Sequence, residues 1–316
     1  MFEHINISDL KEHLGEEVVS FYLVTSKEIR QGKNDRYLYL RLQDHSGSIN
    51  AYVWKDFQKA AEEFSEGDVI KIKAIVNNYK DQVQLNVSQL RYADKSEYNI
   101  EHFISTSSKP PEFLAEQFFS FIDKVENLWI NKLLHLIFDD KEFFCLFLNA
   151  PAAKSWHHNY RHGLIEHTVN VATLCDSICT LYPVHRDLII AGALLHDVGK
   201  VFEYSSAPRI DFTDLGRLVG HLSLGDQFVC EKAKGIVGFP DEILLNLRHM
   251  ILAHHGEYEK GSVRLPQTLE ALVLHLCDNL DAQSVGVAQL LAAAPEDAVW
   301  TEYDKLNNRY YHLTKI

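Results

Sequence analysis

The segment ALLHDVGK, residues 193–200, decides how the second half of this chain is interpreted. It places His196 and Asp197 side by side at the end of an apolar run that begins near Arg186 and has helical periodicity. Burying an ionisable side chain is costly unless that side chain is paired, hydrogen-bonded or bound to a metal ion. The adjacent imidazole and carboxylate therefore predict a paired polar cluster or a metal site inside a helical domain.

Other segments with helical periodicity carry the same residue types on their apolar sides. His167 lies three residues after Leu164, and His254 lies three residues after Ile251. A single inward histidine is usually a satisfied core residue, but many unpaired imidazoles and carboxylates on separate helices are too costly to bury. The pattern therefore predicts a metal centre. Its candidate ligands are His167, His196, Asp197, His221, His254, His255 and Asp278.

The residue types also indicate which metal to expect. A site rich in imidazole and free of thiolate suits first-row transition ions, whereas Mg²⁺ and Ca²⁺ prefer shells of oxygen ligands. We expect Mn²⁺, with Fe, Co, Ni and Zn as alternatives. The segment HGLIEH, residues 162–167, is not a zinc-protease motif, because Gly163 stands where H-x-x-E-H requires histidine.

The first ninety residues are rich in β-forming runs separated by turn residues. A short helical pattern lies between the third and fourth runs, which is the layout of an OB-fold, a barrel that often binds oligonucleotides. The predicted strands are 17–29, 36–44, 48–54, 68–78 and 83–92.

The second and third predicted strands carry aromatic residues on one face. Leu38, Leu40 and Leu42 alternate with polar or aromatic positions, so the leucines should face the core. Aromatic platforms of this kind stack single-stranded bases at about 1–3 kcal/mol each, although exposed tyrosines also simply favour β-structure. The candidate substrate-binding row is Tyr37, Tyr39, Arg41, Tyr52 and Trp54.

The predicted fold is a multi-domain α and β protein, with a five-stranded OB-fold barrel followed by an all-α domain. We assign the barrel to residues 1–93, a linker to 94–112 and the helical domain to 113–316. The linker carries a Ser/Thr cluster and the pair Pro110-Pro111, which cannot continue a helix. The predicted helical segments are 113–138, 163–182, 186–198, 218–233, 240–255 and 267–291.

Charge and composition narrow the function classes. The net charge is −13, but residues 1–92 hold 12 Lys and Arg against 14 Asp and Glu, whereas the rest hold 19 against 30. The negative charge is thus concentrated in the part of the chain that holds the candidate metal ligands, where bound cations would change the sign of the local charge.

No apolar run is long enough for a membrane span, the N-terminus has no signal-peptide pattern, and five cysteines without a CxxC pair argue against a disulfide framework. We expect a cytoplasmic protein with no membrane partner.

The candidate ligands and their neighbours resemble a known superfamily. His167, the pair His196-Asp197 and Asp278 are similar to the H…HD…D signature of HD-domain metal-dependent phosphohydrolases, and HDVGK is that superfamily's most specific segment. With its OB-like domain, the segment HHNYRHGLIEHT (157–168) and the tail WTEYDKLNNRYY (300–311), the chain resembles the YhaM-type 3′→5′ exoribonucleases over almost its full length. One departure is His162, where the family pattern leads us to expect glycine.

The resemblance implies a distribution of ligands between two ions. It implies one ion held by His167, His196, Asp197 and Asp278, with Asp197 bridging to a second ion. The second ion would be held by His221, His254 and His255.

The resemblance also suggests catalytic and phosphate-binding residues. Lys200 could stabilise charge on phosphoryl oxygens, or it could be a surface lysine at a helix C-terminus. His157 and His158 could contact phosphate or protonate the leaving oxygen, or they could be solvated loop residues. Arg161 is a further candidate for phosphate binding.

The implied function is a metal-dependent 3′→5′ exoribonuclease that hydrolyses single-stranded RNA to nucleoside 5′-monophosphates. Single-stranded DNA is a second candidate partner. A first alternative is an HD phosphohydrolase of a nucleoside triphosphate or cyclic dinucleotide, with the OB-fold as an accessory module. A second is a nucleic-acid-binding protein whose HD centre is structural. The sequence leaves the oligomeric state open.

Overall fold

The computed structural model describes residues 4–32, 35–55, 57–80, 82–154, 156–205, 210–295 and 297–314. The chain forms two compact units whose boundary lies between Thr106 and Ser107. The limits of the barrel, linker and helical domain given above stay a prediction. The first part of the predicted linker is packed, since Phe103 is fully buried against Phe21 and Leu23 of the first unit.

The first unit is a closed five-stranded barrel, as the sequence predicts. The strands follow the order β1-β2-β3-β5-β4, and β4 pairs with β1 to close the barrel. Among the described strands, only β3 and β5 pair in parallel. The elements are β1 (Glu17–Gln31), β2 (Arg36–Asp44), β3 (Gly47–Val53), α1 (Phe57–Glu62), β4 (Val69–Tyr79) and β5 (Gln82–Tyr92).

The long first strand makes closure possible. Its first half pairs with β4 and its second half with β2, with a register shift between Val24 and Ser26 where the strand changes partner. Such bulges bend a strand and increase its twist. Leu38, Leu40 and Leu42 are fully buried in the barrel, so the alternation in β2 correctly identified its core face.

The second unit is helical within its described residues. None of its helices, nor any other described helix, is both long and apolar enough to cross a membrane. The helices are α2 (Pro111–Asp123), α3 (Leu128–Phe138), α4 (Lys141–Asn149), α5 (Gly163–Ile178), α6 (Arg186–Leu195), α7 (Lys200–Glu203), α8 (Asp214–Val219), α9 (His221–Lys234), α10 (Asp241–Ala253) and α11 (Leu269–Ala293).

Two predicted helices are each divided in the structure. The segment 113–138 forms α2 and α3, because the side chain of Asn127 accepts hydrogen bonds from the backbone of Trp129 and Ile130 and starts a new helix. The segment 218–233 is interrupted at Gly220, whose φ of 76° is outside the helical range. The sequence analysis did not predict α4, which Asp140 caps.

Candidate metal centre

The structure brings all seven predicted ligands into one cluster. They come from the middle of α5, the end of α6, the start of α9, the end of α10 and the middle of α11. Their imidazole nitrogens and carboxylate oxygens form overlapping groups of three in which the donor atoms lie within 4.8 Å of one another. His167, His196 and His254 are almost completely buried.

Each of the five histidines is oriented by its Nδ1 atom. That nitrogen lies 2.7–2.9 Å from a carbonyl or carboxylate oxygen, which can only accept, so Nδ1 carries a proton and Nε2 is the nitrogen that faces the cluster. This arrangement is typical of histidines that bind metals. The acceptors are Asp281 for His167, Ala193 for His196, Glu203 for His221, Ile251 for His254 and Lys260 for His255.

The two carboxylate oxygens of Asp197 face different histidines. Its Oδ2 lies 3.3 Å from Nε2 of His196 and 3.5 Å from Nε2 of His167. Its Oδ1 lies 3.4 Å from Nε2 of His254 and 3.6 Å from Nε2 of His221. Asp278 belongs with the first pair, because its Oδ1 is 3.1 Å from Nε2 of His167. Asp197 therefore stands between two sets of donor atoms.

Two features of this cluster fit bound cations. Asp197 Oδ1 is buried and has no hydrogen-bond partner among the described residues, which is costly for a carboxylate oxygen. The Nε2 atoms of His167 and His196 are only 3.2 Å apart, as are those of His221 and His255. Each Nδ1 already carries a proton, so two unprotonated Nε2 atoms at this distance would repel each other through their lone pairs. A second proton or a metal ion on one of them removes this repulsion. The imidazole and carboxylate donors suit a divalent transition ion.

The pKa values reflect the crowding of charge. Burial lowers the pKa of His167, but hydrogen bonds with Asp278 and Asp281 outweigh burial and raise that pKa to about 9. Burial lowers the pKa of His255 to about 3 and also lowers the pKa of His254, so both imidazoles are neutral, as metal ligands must be. The pKa of the Asp197 carboxyl lies well below its usual range, because Lys200 and His196 outweigh the effect of burial.

Binding of a metal ion should increase the free energy of unfolding of the protein. Adding Mn²⁺ at a hundredfold excess over its Kd should stabilise the protein by about 2.7 kcal/mol, which raises Tm by roughly 5–10 °C for a domain of this size. Calorimetry of the EDTA-treated protein with and without Mn²⁺ measures the shift. Ca²⁺ at the same concentration is the control and should shift Tm much less, because it prefers oxygen ligands. Equal shifts with both ions would contradict an imidazole site.

The glycine of HDVGK has a packing role. A Cβ atom on Gly199 would lie 2.1 Å from the carbonyl oxygen of His221 and 2.6 Å from the backbone nitrogen of Gly225. Only glycine allows the start of α9 to approach the end of α6 this closely. That approach places His221 beside Asp197.

Two carboxylates that the sequence analysis missed support the ligands. Asp281 accepts from Nδ1 of His167 at 2.7 Å, from Nε2 of His158 at 2.9 Å and from the side-chain amide of Asn170. Glu203 accepts from both the backbone and Nδ1 of His221. The spacing of Asp281, three residues after Asp278 on one helix, is the signal that could have identified it.

Two of the predicted catalytic residues, Lys200 and His157, lie at the ligand cluster. The ammonium of Lys200 is buried and donates to Asp197 Oδ2 at 2.6 Å, so it is not a surface lysine. His157 lines a pocket of about 320 Å³ over the cluster. Its Nδ1 is buried and has no hydrogen-bond partner among the described residues.

The positions of His158 and Arg161 do not fit the roles that the sequence suggested for them. Both ring nitrogens of His158 are engaged, with Tyr160 at 2.8 Å and Asp281 at 2.9 Å, and its side chain is buried. A phosphate contact through His158 therefore does not fit this geometry, and neither does a solvated loop position. Arg161 donates to the side chain of Asn149 and is not among the residues that line the pocket.

The backbone conformation of His162 explains why glycine was expected at this position. Its φ is 65°, in the left-handed region, where glycine is favoured and most other residues are strained. Its Nδ1 donates to the carbonyl of Leu148 at 2.7 Å, and its side chain is buried. This hydrogen bond stabilises histidine in a position that otherwise suits glycine.

The predicted aromatic row forms a continuous surface on the barrel. Tyr37 lies 4.6 Å from Trp54 and 5.9 Å from Tyr52, measured between ring centroids, and Trp54 is half exposed. Tyr39 departs from the prediction, because the guanidinium of Arg30 covers its ring at 3.6 Å and leaves it only 9% exposed. Arg41 is exposed and donates to Ser48 and Asn50. The accessible rings are therefore Tyr37, Tyr52 and Trp54.

Comparison with known proteins identifies the family. A model of the HD domain matches residues 164–283, and a model of an OB-fold nucleic acid binding domain matches residues 23–92. The curated 3′-5′ exoribonuclease YhaM of Bacillus velezensis is 32% identical over 303 residues, which cover 95% of this chain and 95% of that protein. The chain belongs to the YhaM family. A second YhaM relative, from Bacillus subtilis, is 33% identical over 85% of this chain and 86% of its own length. The similarity to YhaM thus spans both units and confirms the resemblance seen in the sequence.

Proposed function

We propose that this protein is a metal-dependent exoribonuclease that shortens single-stranded RNA from its 3′ end and releases nucleoside 5′-monophosphates. The family relationship supports a hydrolase that acts on RNA. The observation that carries the metal-dependent part is the position of Asp197, whose two oxygens face two separate sets of histidine nitrogens.

The donor sets would hold two ions, with Asp197 shared between them. His167, His196 and Asp278 complete one set, and His221, His254 and His255 complete the other. When bound, the two ions activate a water molecule as nucleophile and neutralise charge on the phosphodiester oxygens. We propose Mn²⁺ as the ion.

The protein's own groups orient the substrate and limit its movement. Lys200 keeps Asp197 ionised and adds positive charge beside the position of the phosphodiester. The imidazole of His157 lines the same pocket as Asp197 and Lys200, which supports a position beside the substrate phosphate. Burial lowers the pKa of His157 to about 3, so in the substrate-free protein it is neutral.

The barrel would bind the single strand through its accessible rings. Replacing Tyr37, Tyr52 and Trp54 together by alanine removes stacking worth about 1–3 kcal/mol per base. We expect KM for a long RNA to rise at least about tenfold, while hydrolysis of a dinucleotide, which needs no second binding site, changes little. Steady-state kinetics on both substrates tests this expectation. Replacing Tyr92, an exposed tyrosine at the end of β5, is the matched control. If the triple variant retains the wild-type KM, the barrel does not bind the strand through this row.

The direct test uses single-stranded RNA labelled at its 5′ end, incubated with Mn²⁺ and with or without EDTA. We expect a ladder that shortens with time from the 3′ end and disappears with the chelator. In a parallel reaction with RNA labelled at its internal phosphates, the released product should co-migrate with nucleoside 5′-monophosphate. Intact RNA, with phosphate release from a nucleoside triphosphate or hydrolysis of a cyclic dinucleotide, would instead identify a small-nucleotide phosphohydrolase. Tight binding of RNA that the chelator does not affect, without cleavage, would identify a binding protein.

A further inference from the structure

A second cavity, of about 570 Å³, lies beside the pocket of the metal centre. We call it the tail groove, because one wall is the end of α11 and the other is the C-terminal segment. Its walls include Asn279, Gln283, Val287, Leu291, Arg309 and Tyr311. Asn279 and Lys260 line both cavities, so the tail groove continues directly from the metal centre.

The wall formed by the C-terminal segment is a fixed turn. Asp304 is buried and accepts hydrogen bonds from the backbone of Leu306 at 2.9 Å and from the side-chain amide of Asn307 at 2.7 Å. Its backbone also pairs with that of Arg309. The turn places Leu306 at the metal-centre pocket and Asn307 and Arg309 at the tail groove. The groove is therefore bounded on both sides by ordered structure.

The chemistry of the walls changes along the groove. Asn279 and Gln283 lie one helical turn apart, so their amides follow each other away from the metal centre, and Val287 and Leu291 continue the same line with apolar side chains. Arg309 is exposed, its Nε donates to the backbone carbonyl of Asn307 at 3.0 Å, and no carboxylate of the described residues is recorded in an ion pair with its guanidinium. Tyr311 adds an aromatic ring.

This combination matches one nucleotide. Side-chain amides form hydrogen bonds with base edges, aromatic rings stack on bases, and arginine donates to the oxygens of the sugar-phosphate backbone. A volume of about 570 Å³ falls in the range of cavities that hold a single small ligand. It suits one nucleotide rather than a continuous strand.

We propose that the tail groove binds the 3′-terminal nucleotide of the RNA while the adjacent phosphodiester lies at the metal centre. This proposal rests on the exoribonuclease function proposed above. In this arrangement Gln283 contacts the terminal base, and Arg309 donates to the oxygens of the terminal ribose. The C-terminal segment thus forms one wall of the site for the chain end.

The test compares two RNA substrates that differ only in the last nucleotide, which is either complete or abasic. With Mn²⁺, the wild-type protein should remove the complete nucleotide with a kcat/KM about tenfold higher, because the abasic end leaves the base-binding amide without its partner. Gln283→Ala should lower kcat/KM for the complete end about tenfold and abolish the preference. Arg309→Ala should lower kcat/KM for both ends equally and keep the preference, because both ends carry the terminal ribose.

Gln289→Ala is the matched control, since Gln289 lies on α11 but does not line the tail groove. It should behave as the wild type on both ends. Equal rates of the wild type on the two ends would overturn the proposal, as would an undiminished preference in Gln283→Ala with normal thermal unfolding. Failure of the wild type to shorten either RNA is a different result, because it rejects the exoribonuclease function itself.

Discussion

Replacing Asp197 by asparagine is expected to lower kcat on single-stranded RNA by about a thousandfold or more, because stabilisation by bound metal ions is worth several kcal/mol. Asparagine preserves the shape of the side chain but removes its charge. It leaves one amide group where two carboxylate oxygens face His196 and His254 on opposite sides. It also deprives the buried ammonium of Lys200 of its partner.

The measurement combines single-turnover cleavage of labelled RNA with calorimetric titration of Mn²⁺. We expect both the number of bound ions and the rate to fall in Asp197→Asn. Asp226→Asn is the matched control, because Asp226 is an acidic residue of α9 whose partner is Arg248 and which is not in the cluster. Thermal unfolding of the metal-free variants separates loss of the site from loss of the fold. Wild-type activity in a folded Asp197→Asn protein would mean that this carboxylate does not hold the metal.

The barrel could be predicted from the sequence because its signals are local. The alternation of leucine with polar residues over the nine residues of β2 identifies the buried face of the strand, and turn residues mark where each strand ends. The predicted and observed strands agree to within one or two residues at nearly every end. The covering of Tyr39 was not predictable in this way, since Arg30 lies on the neighbouring strand and reaches the ring only through the register of β1 with β2.

The seven candidate ligands could be predicted for a different reason. Each lies on the apolar side of its helix, where an ionisable group is conspicuous. What periodicity cannot supply is the orientation of each ring, because the acceptor for Nδ1 lies within five residues for His196, His254 and His255 but much farther along the chain for His167. Asp281, for example, lies 114 positions from His167. The same limit explains His158, which the sequence places in a loop and the structure buries against Asp281.

Helix ends were predicted less well than helix faces. Apolar spacing continues through residues 113–138, and only the capping side chain of Asn127 divides the segment into α2 and α3. Asparagine is common within polar stretches, so its role as a cap is clear only when its side chain meets the backbone amides of the following turn. The division does not affect the metal centre, whose ligands lie on other helices.

Asp281 should prove to be a positioning residue for His167. Replacing Asp281 by alanine removes the acceptor that holds Nδ1 of His167 and, through the same carboxylate, releases His158. Loss of such a supporting carboxylate typically lowers metal affinity or activity about 10- to 100-fold. We therefore expect Asp281→Ala to weaken Mn²⁺ binding and to lower kcat in this range.

Asp281→Asn distinguishes orientation from charge. The asparagine oxygen can still accept from Nδ1 of His167, so this variant should recover most of the Mn²⁺ affinity that alanine loses if orientation is the main contribution. Calorimetric titration of Mn²⁺ into both variants measures that recovery. Asp176→Asn is the control, because Asp176 is a half-exposed carboxylate on the same helix as His167 and is paired with Arg186. A merely structural role predicts instead that both variants lose thermal stability while each folded protein binds Mn²⁺ as the wild type does. Unchanged Mn²⁺ affinity in Asp281→Ala would show that His167 keeps its orientation without this carboxylate.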